Sequence, residues 1–217
     1  MPVFLLGWTF ITGLVDALSY LKLGHVFVAN MTGNVVFLGF AVAGAQDFSV
    51  AASLVAIGAF LLGALAGGRL GAWAGGHRGR YLAVSIYCKI GLIAAALSLT
   101  LVGAGGLFSL IALLAIAMGL QNAAARRLVV PDLTTTVLTL TLTGLAADSK
   151  LAGGRSGQPT RRLLAAATMF AGGAAGAFLA LTVGSSAVLA LVLFLQIASG
   201  IAAYFCSAST AAWTTQR

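Results

Sequence analysis

The chain has very little charge to show to water. Only 7% of its 217 residues are charged, glutamate is missing, and the acidic complement is Asp16, Asp47, Asp132 and Asp148. Soluble domains carry roughly 25% charged residues, so a water-facing exterior is excluded. Cysteine is scarce: Cys88 and Cys206 lie inside apolar runs, where a small buried hydrophobe is the ordinary role and no disulfide is indicated. His25 and His77 stand apart, and no HExxH, Walker or GxSxG sequence occurs. No metal site, no cofactor, no ATP-driven step and no enzymatic activity are therefore expected.

What the chain does have is apolar length: 60% of its residues are hydrophobic. Runs long enough to span a bilayer, about 20 residues, cover 3–22, 50–75, 81–102, 106–125, 163–183 and 186–206. The first lacks a basic leading region and carries Asp16, so it is expected to remain as a span and not to be a cleaved signal. Two shorter runs, 32–46 and 133–147, suit half-helices or re-entrant segments. The net charge of +8 comes from Lys and Arg between apolar runs, so no nucleic-acid partner is expected. If the short runs do not cross, Arg78, Arg80, Arg126, Arg127, Lys150, Arg155, Arg161, Arg162 and Arg217 share one side, and only Lys22 and Asp47 face the other. If all eight runs cross, the basic residues divide almost evenly. The positive-inside bias favours an all-α membrane protein of six transmembrane helices plus two re-entrant pieces, with cytoplasmic termini. Eight short spans are the alternative.

The two halves, 1–104 and 105–217, resemble each other. Gly13-Leu14-x-Asp16-Ala17 matches Gly119-Leu120-x-Asn122-Ala123, and Val28, Thr32, Val35 and Leu38 match Val130, Thr134, Val137 and Leu140. Three crossings per half would invert the second repeat, a plan of many transporters, with the site near the midplane where broken helices meet. Gly63, Gly67, Gly71 and Gly75 form a ladder, echoed by Gly172, Gly176, Ala180 and Gly184. Such ladders let neighbouring backbones approach closely; they are expected to join the two halves, or two protomers of a homo-oligomer.

Polar residues concentrate at two breaks. Thr9, Thr12, Asp16, Ser19 and Tyr20 share one face of the first span. A carboxylate there costs at least about 2.5–3.5 kcal/mol, which calls for a partner, a water-filled cavity or protonation; the plainer reading places Asp16 near wetted headgroups. In the following VFVANMTGN, Asn30 or Thr32 suits an N-cap, Gly33 allows close approach, and Asn30 and Asn34 face the same way. The half-helix starting here points its N–H groups inward. The second break holds Gln121, Asn122, Arg126, Arg127, Pro131, Asp132 and Thr134, Thr135 and Thr136. Pro131 disfavours a continuous helix, Asp132 suits an N-cap, and the arginines read as topology anchors or as a partner for Asp132. Lys89 and Gln196 are further intramembrane polar residues. Lys89 either snorkels to the cytoplasmic edge or pairs with Asp16.

VDALSYLKLGHVFVANMTGNVVFLGFA, GLQNAAARRL and VPDLTTTVLTLTLTGLAADS together resemble the YoaK, or DUF1275, family of bacterial membrane proteins, over essentially the whole chain. The resemblance implies a small multi-pass protein of the bacterial inner membrane that moves small molecules. The expected function is a transporter or channel for a small polar solute, with Asp16 as its ion- or proton-linked group. Ser19, Tyr20, Asn30, Thr32, Asn34, Gln121, Asn122, Asp132 and Thr134 to Thr136 complete the expected site. The alternative is a non-transporting scaffold or assembly subunit.

Overall fold

In lipid the backbone has no water to bond to, so long apolar runs fold as helices that satisfy their own N–H and C=O groups. The structure is a computed structural model that describes residues 2–75, 77–128, 138–149, 152–154 and 159–207. These residues form eight helices: α1 (Pro2–Lys22), α2 (Met31–Val42), α3 (Val50–Trp73), α4 (Arg78–Leu101), α5 (Leu107–Leu128), α6 (Leu138–Ala147), α7 (Pro159–Thr182) and α8 (Ser185–Ser207). Six are candidate membrane spans by length and apolarity, while α2 and α6 are short apolar helices. Asp132 and Thr134, Thr135 and Thr136 lie outside the described residues.

Boundaries follow local chemistry. Ser49 accepts from the Ala52 N–H at the start of α3, and His77 Nδ1 accepts from the Arg80 N–H at the start of α4. Helix α5 runs past the expected end of its apolar stretch because Arg126 and Arg127 in its last turn suit a helix C-terminus. At the end of α1, Gly24 and His25 both take positive φ, 81° and 56°. His25 is held there by its Nδ1, which donates to the Asp47 carbonyl at 3.1 Å. The chain that leaves α1 thus comes back, after α2, to the same end of α1. A cluster of Tyr20, His25, Phe27, Phe37, Phe40 and Phe48 fills this end.

The long helices pair across the halves, α1 with α7 and α3 with α5. A Cβ on Gly63 would overlap the Ile116 carbonyl, and one on Gly172 would overlap the Phe10 carbonyl. Likewise Gly13 faces Met169 and Gly173, and Gly119 faces Phe60 and Ala64; Gly176 faces Leu14 and Ala17, and Gly67 faces Leu120 and Ala123. The ladder faces are therefore filled within one chain. Their last members do not belong to a groove: Gly75 and Gly184 take positive φ just beyond α3 and α7. Outside the pairs, Leu61, Leu62, Phe170, Phe178, Phe194 and Phe205 point outward, as a lipid-facing surface requires.

Two apolar clusters form the core. One includes Ile11, Ile93 and Met118, and the other Trp8, Ile86 and Ala124. On each of α1, α4 and α5 the boundary between them carries a buried polar residue: Thr12, Lys89 and Gln121.

Candidate functional site

Asp16 is 4% exposed, three-quarters of the way along α1. Its Oδ1 accepts the Val28 and Ala29 N–H groups at 3.1 and 2.9 Å, and its Oδ2 accepts Asn30 Nδ2 at 2.8 Å. The reason is local. Residues 26–30 are not helical, their N–H groups have no partners of their own, and the membrane interior offers none. Asp16 is thus neither wetted at the surface nor paired with Lys89. Ser19, buried, donates to the Asp16 carbonyl at 3.2 Å. Asn34 does the same work one residue earlier: its Oδ1 accepts the Phe27 N–H at 2.8 Å, and its Nδ2 donates to the Phe27 carbonyl. Gly33 gives room for the Phe27 ring, which stacks on Tyr20 at 5.3 Å. Asn30 occupies the N-cap position of α2 but makes no capping bond, because its amide goes to Asp16.

Two cavities meet at Asn30. The first, of about 320 Å³, is lined by Asn30, Met31, Thr32, Ala64, Asn122 and Arg126, with Ala29 and Phe60. The second, of about 250 Å³, is lined by Gly13, Asp16, Tyr20, Phe27, Asn30 and Met169, with Ala17, Leu21 and Gly173. The two polar breaks are therefore brought together at the first cavity, through Asn30 and Thr32 on one side and Asn122 on the other. Asn34 and Ser19 line neither cavity; they hold the walls. Asn122 also donates to the Met118 carbonyl at 3.0 Å.

Gln121 points the other way, into the bundle. Its Oε1 accepts from Lys89 Nζ at 2.7 Å, and its Nε2 donates to Thr12 Oγ1 at 2.9 Å. Lys89 is completely buried and lies 4.1 Å from the centre of the Trp8 ring. It does not snorkel to an edge. The only sign in the sequence was a lysine flanked by apolar residues mid-span. Gln196, also fully buried, has no hydrogen-bond partner for either amide atom among the described residues. Arg162 pairs with Asp148 at 2.7 Å, joining the end of α6 to the start of α7. Among the described residues no three His, Cys, Asp or Glu side chains gather as metal ligands would.

The profile described as protein of unknown function (DUF1275) matches residues 4–202. The chain belongs to the DUF1275 family. Within it, the UPF0700 transmembrane protein YoaK of Bacillus subtilis (strain 168) is 36% identical over 141 residues, which is 63% of this chain and 61% of that relative. No solved structure matches. This DUF1275 chain is a multi-pass membrane protein with six candidate spans; among its described residues, buried polar side chains gather at the helix break after α1 (Asp16, Ser19, Asn34) and in the seam between the two apolar clusters (Thr12, Lys89, Gln121).

Proposed function

We propose that the chain is a transporter or channel for a small polar solute in a bacterial inner membrane. Two inverted repeats would form the path, each with three spans and a re-entrant piece around α2 or α6. Support for the repeats lies in the glycine contacts. A shift of 106 turns Phe10, Gly13, Leu14 and Ala17 into Ile116, Gly119, Leu120 and Ala123, and a shift of 109 turns Phe60, Gly63, Ala64 and Gly67 into Met169, Gly172, Gly173 and Gly176. The same shifts exchange the walls of the two cavities: Asn122, Phe60 and Ala64 of the first answer to Asp16, Met169 and Gly173 of the second. The return of the chain from His25 to Asp47 supports a re-entrant α2 over a seventh crossing.

The observation that carries the proposal is Asn30, which lines both cavities. The second reaches toward Tyr20 and Leu21, in the last turn of α1; the first reaches toward Arg126, in the last turn of α5. Those turns lie at opposite ends, since Gly24 just after α1 faces the Leu107 side chain that begins α5. A solute passing from one cavity to the other would cross at Asn30. The Arg126 guanidinium and the Thr32 hydroxyl carry hydrogen-bond donors, which suits a solute rich in acceptors. Arg78, Arg80 and Arg127 share the Arg126 end, and the positive-inside bias makes it cytoplasmic. A homo-oligomer, as part of this proposal, uses surfaces other than the filled glycine faces, and no catalytic chemistry is involved.

The test is sidedness. In a chain with Cys88 and Cys206 changed to serine, Ala17→Cys and Asn122→Cys are each exposed to a membrane-impermeant sulfonated thiol reagent. Labelling of Ala17→Cys from the outside and of Asn122→Cys from the inside is expected. Labelling of both from one side removes the path, and protection of both favours the scaffold alternative.

A further inference from the structure

We propose that Lys89 is a buried proton-binding group that exchanges its proton with the arginine-bearing end of the bundle through Ser85 and Tyr81. An ammonium has three donors. The Lys89 group gives one to Gln121 Oε1 at 2.7 Å and rests on the Trp8 face at 4.1 Å. No carboxylate faces it among the described residues. From α1 come Trp8, Thr12 and, one turn on, Asp16, whose two oxygens hold Val28, Ala29 and Asn30. From α5 come Gln121 and, at its end, Arg126 and Arg127. Helix α3 carries Arg69, which is exposed, and α8 brings Gln196 and no charged side chain. A charge in a membrane interior is otherwise paired or placed on an ion path.

A route to it is written on α4. Tyr81, Ser85 and Lys89 follow at steps of four, so they share one face, and all three are buried. Tyr81 lines a cleft of about 10 Å³ with His77, Arg78 and Arg127, room for about one water. Ser85 lies between that cleft and Lys89, is fully buried and sits beside the Tyr81 hydroxyl; among the described residues neither its hydroxyl nor the Trp8 Nε1 has a partner of good hydrogen-bond geometry. Buried polar atoms of this kind are ordinarily satisfied by ordered water. On this proposal the stripe is the line along which protons pass between the cleft and Lys89. The exchange is simple: the ammonium becomes an amine, and the proton leaves through the cleft. Under the transport reading, Lys89 is then a second group, beside Asp16, through which pH acts on the bundle.

The experiment reads Trp8, whose ring lies beneath the ammonium. Full-length protein with Trp73→Phe and Trp213→Phe is titrated in detergent over the pH range in which it stays folded, following Trp8 emission. One protonic transition is expected; it is absent in Lys89→Met and in Lys89→Arg, whose side chain keeps its charge throughout. In pH-jump measurements Ser85→Val slows the approach to the new emission several-fold. A flat wild-type titration overturns the proposal, as does a transition that persists in Lys89→Met or Lys89→Arg. If Lys89→Met does not fold, the wild type and Lys89→Arg decide. Failure of the sidedness test with the Trp8 transition intact rejects the solute path and leaves the proton site standing.

Discussion

Among the described residues Asp16 and Lys89 are the two buried charges, and they are accommodated in opposite ways. Asp16 collects three donors from one short segment, residues 28–30, only 12 to 14 positions downstream. That segment has backbone N–H groups with nowhere else to go, so the carboxylate and the orphan donors cancel each other's cost. Lys89 lies among complete helices whose backbone is already self-satisfied. It finds only a glutamine oxygen on α5, 32 residues away, and an indole face on α1. The difference teaches that a buried charge in a membrane is not a functional sign by itself. A charge that completes broken backbone has a structural task, whatever else it does. A charge held by neutral side chains from other helices can change its state without unfolding its surroundings.

The largest effect is expected from breaking the Asp16 side. Asp16→Leu strands two backbone N–H groups and the Asn30 amide, at about 1–3 kcal/mol each, so a loss of several kcal/mol in unfolding free energy is expected. Hydrogen exchange should rise first in residues 24–49. A smaller effect sharpens the same point. Asp16→Asn turns one amide donor toward another, at a cost of about 1–3 kcal/mol, measurable by thermal unfolding in detergent. Combining it with Asn30→Asp restores one donor and one acceptor across that contact and should recover most of the loss. If the double exchange is no better than Asp16→Asn alone, the brace is misassigned.

Much of the frame was legible in the sequence because lipid permits so few solutions: apolar runs of about twenty residues are spans, and the Gly63 and Gly172 ladders announce close packing. The partner of each ladder was not legible, since small residues tell of an approach and not of what approaches. Asn30 shows a different limit. Its type and position suit an N-cap, but a cap uses its oxygen, and the Asp16 carboxylate took hold of its amide nitrogen from the preceding helix. The charge of Lys89 points toward an acid or the membrane edge. Gln121 and Trp8 carry no charge to reveal them, and they come together only when α1, α4 and α5 pack.

The smallest effect is expected where the charge looks most costly. Lys89→Met keeps the length of the side chain and removes an ion from the interior, but leaves Gln121 Oε1 without a donor. Adding Gln121→Leu removes that acceptor too. Thr12 is not stranded by the change, because its hydroxyl already donates to the Trp8 carbonyl at 2.9 Å. Replacing buried ionic groups by apolar ones of similar volume is often neutral or stabilising, so the double variant should unfold within about 1 kcal/mol of the wild type, or above it. Such a chain would hold its fold and lose the Trp8 titration, which separates the two enclosed charges. A loss as large as that of Asp16→Leu would make Lys89 a second brace, and the contrast between them would go.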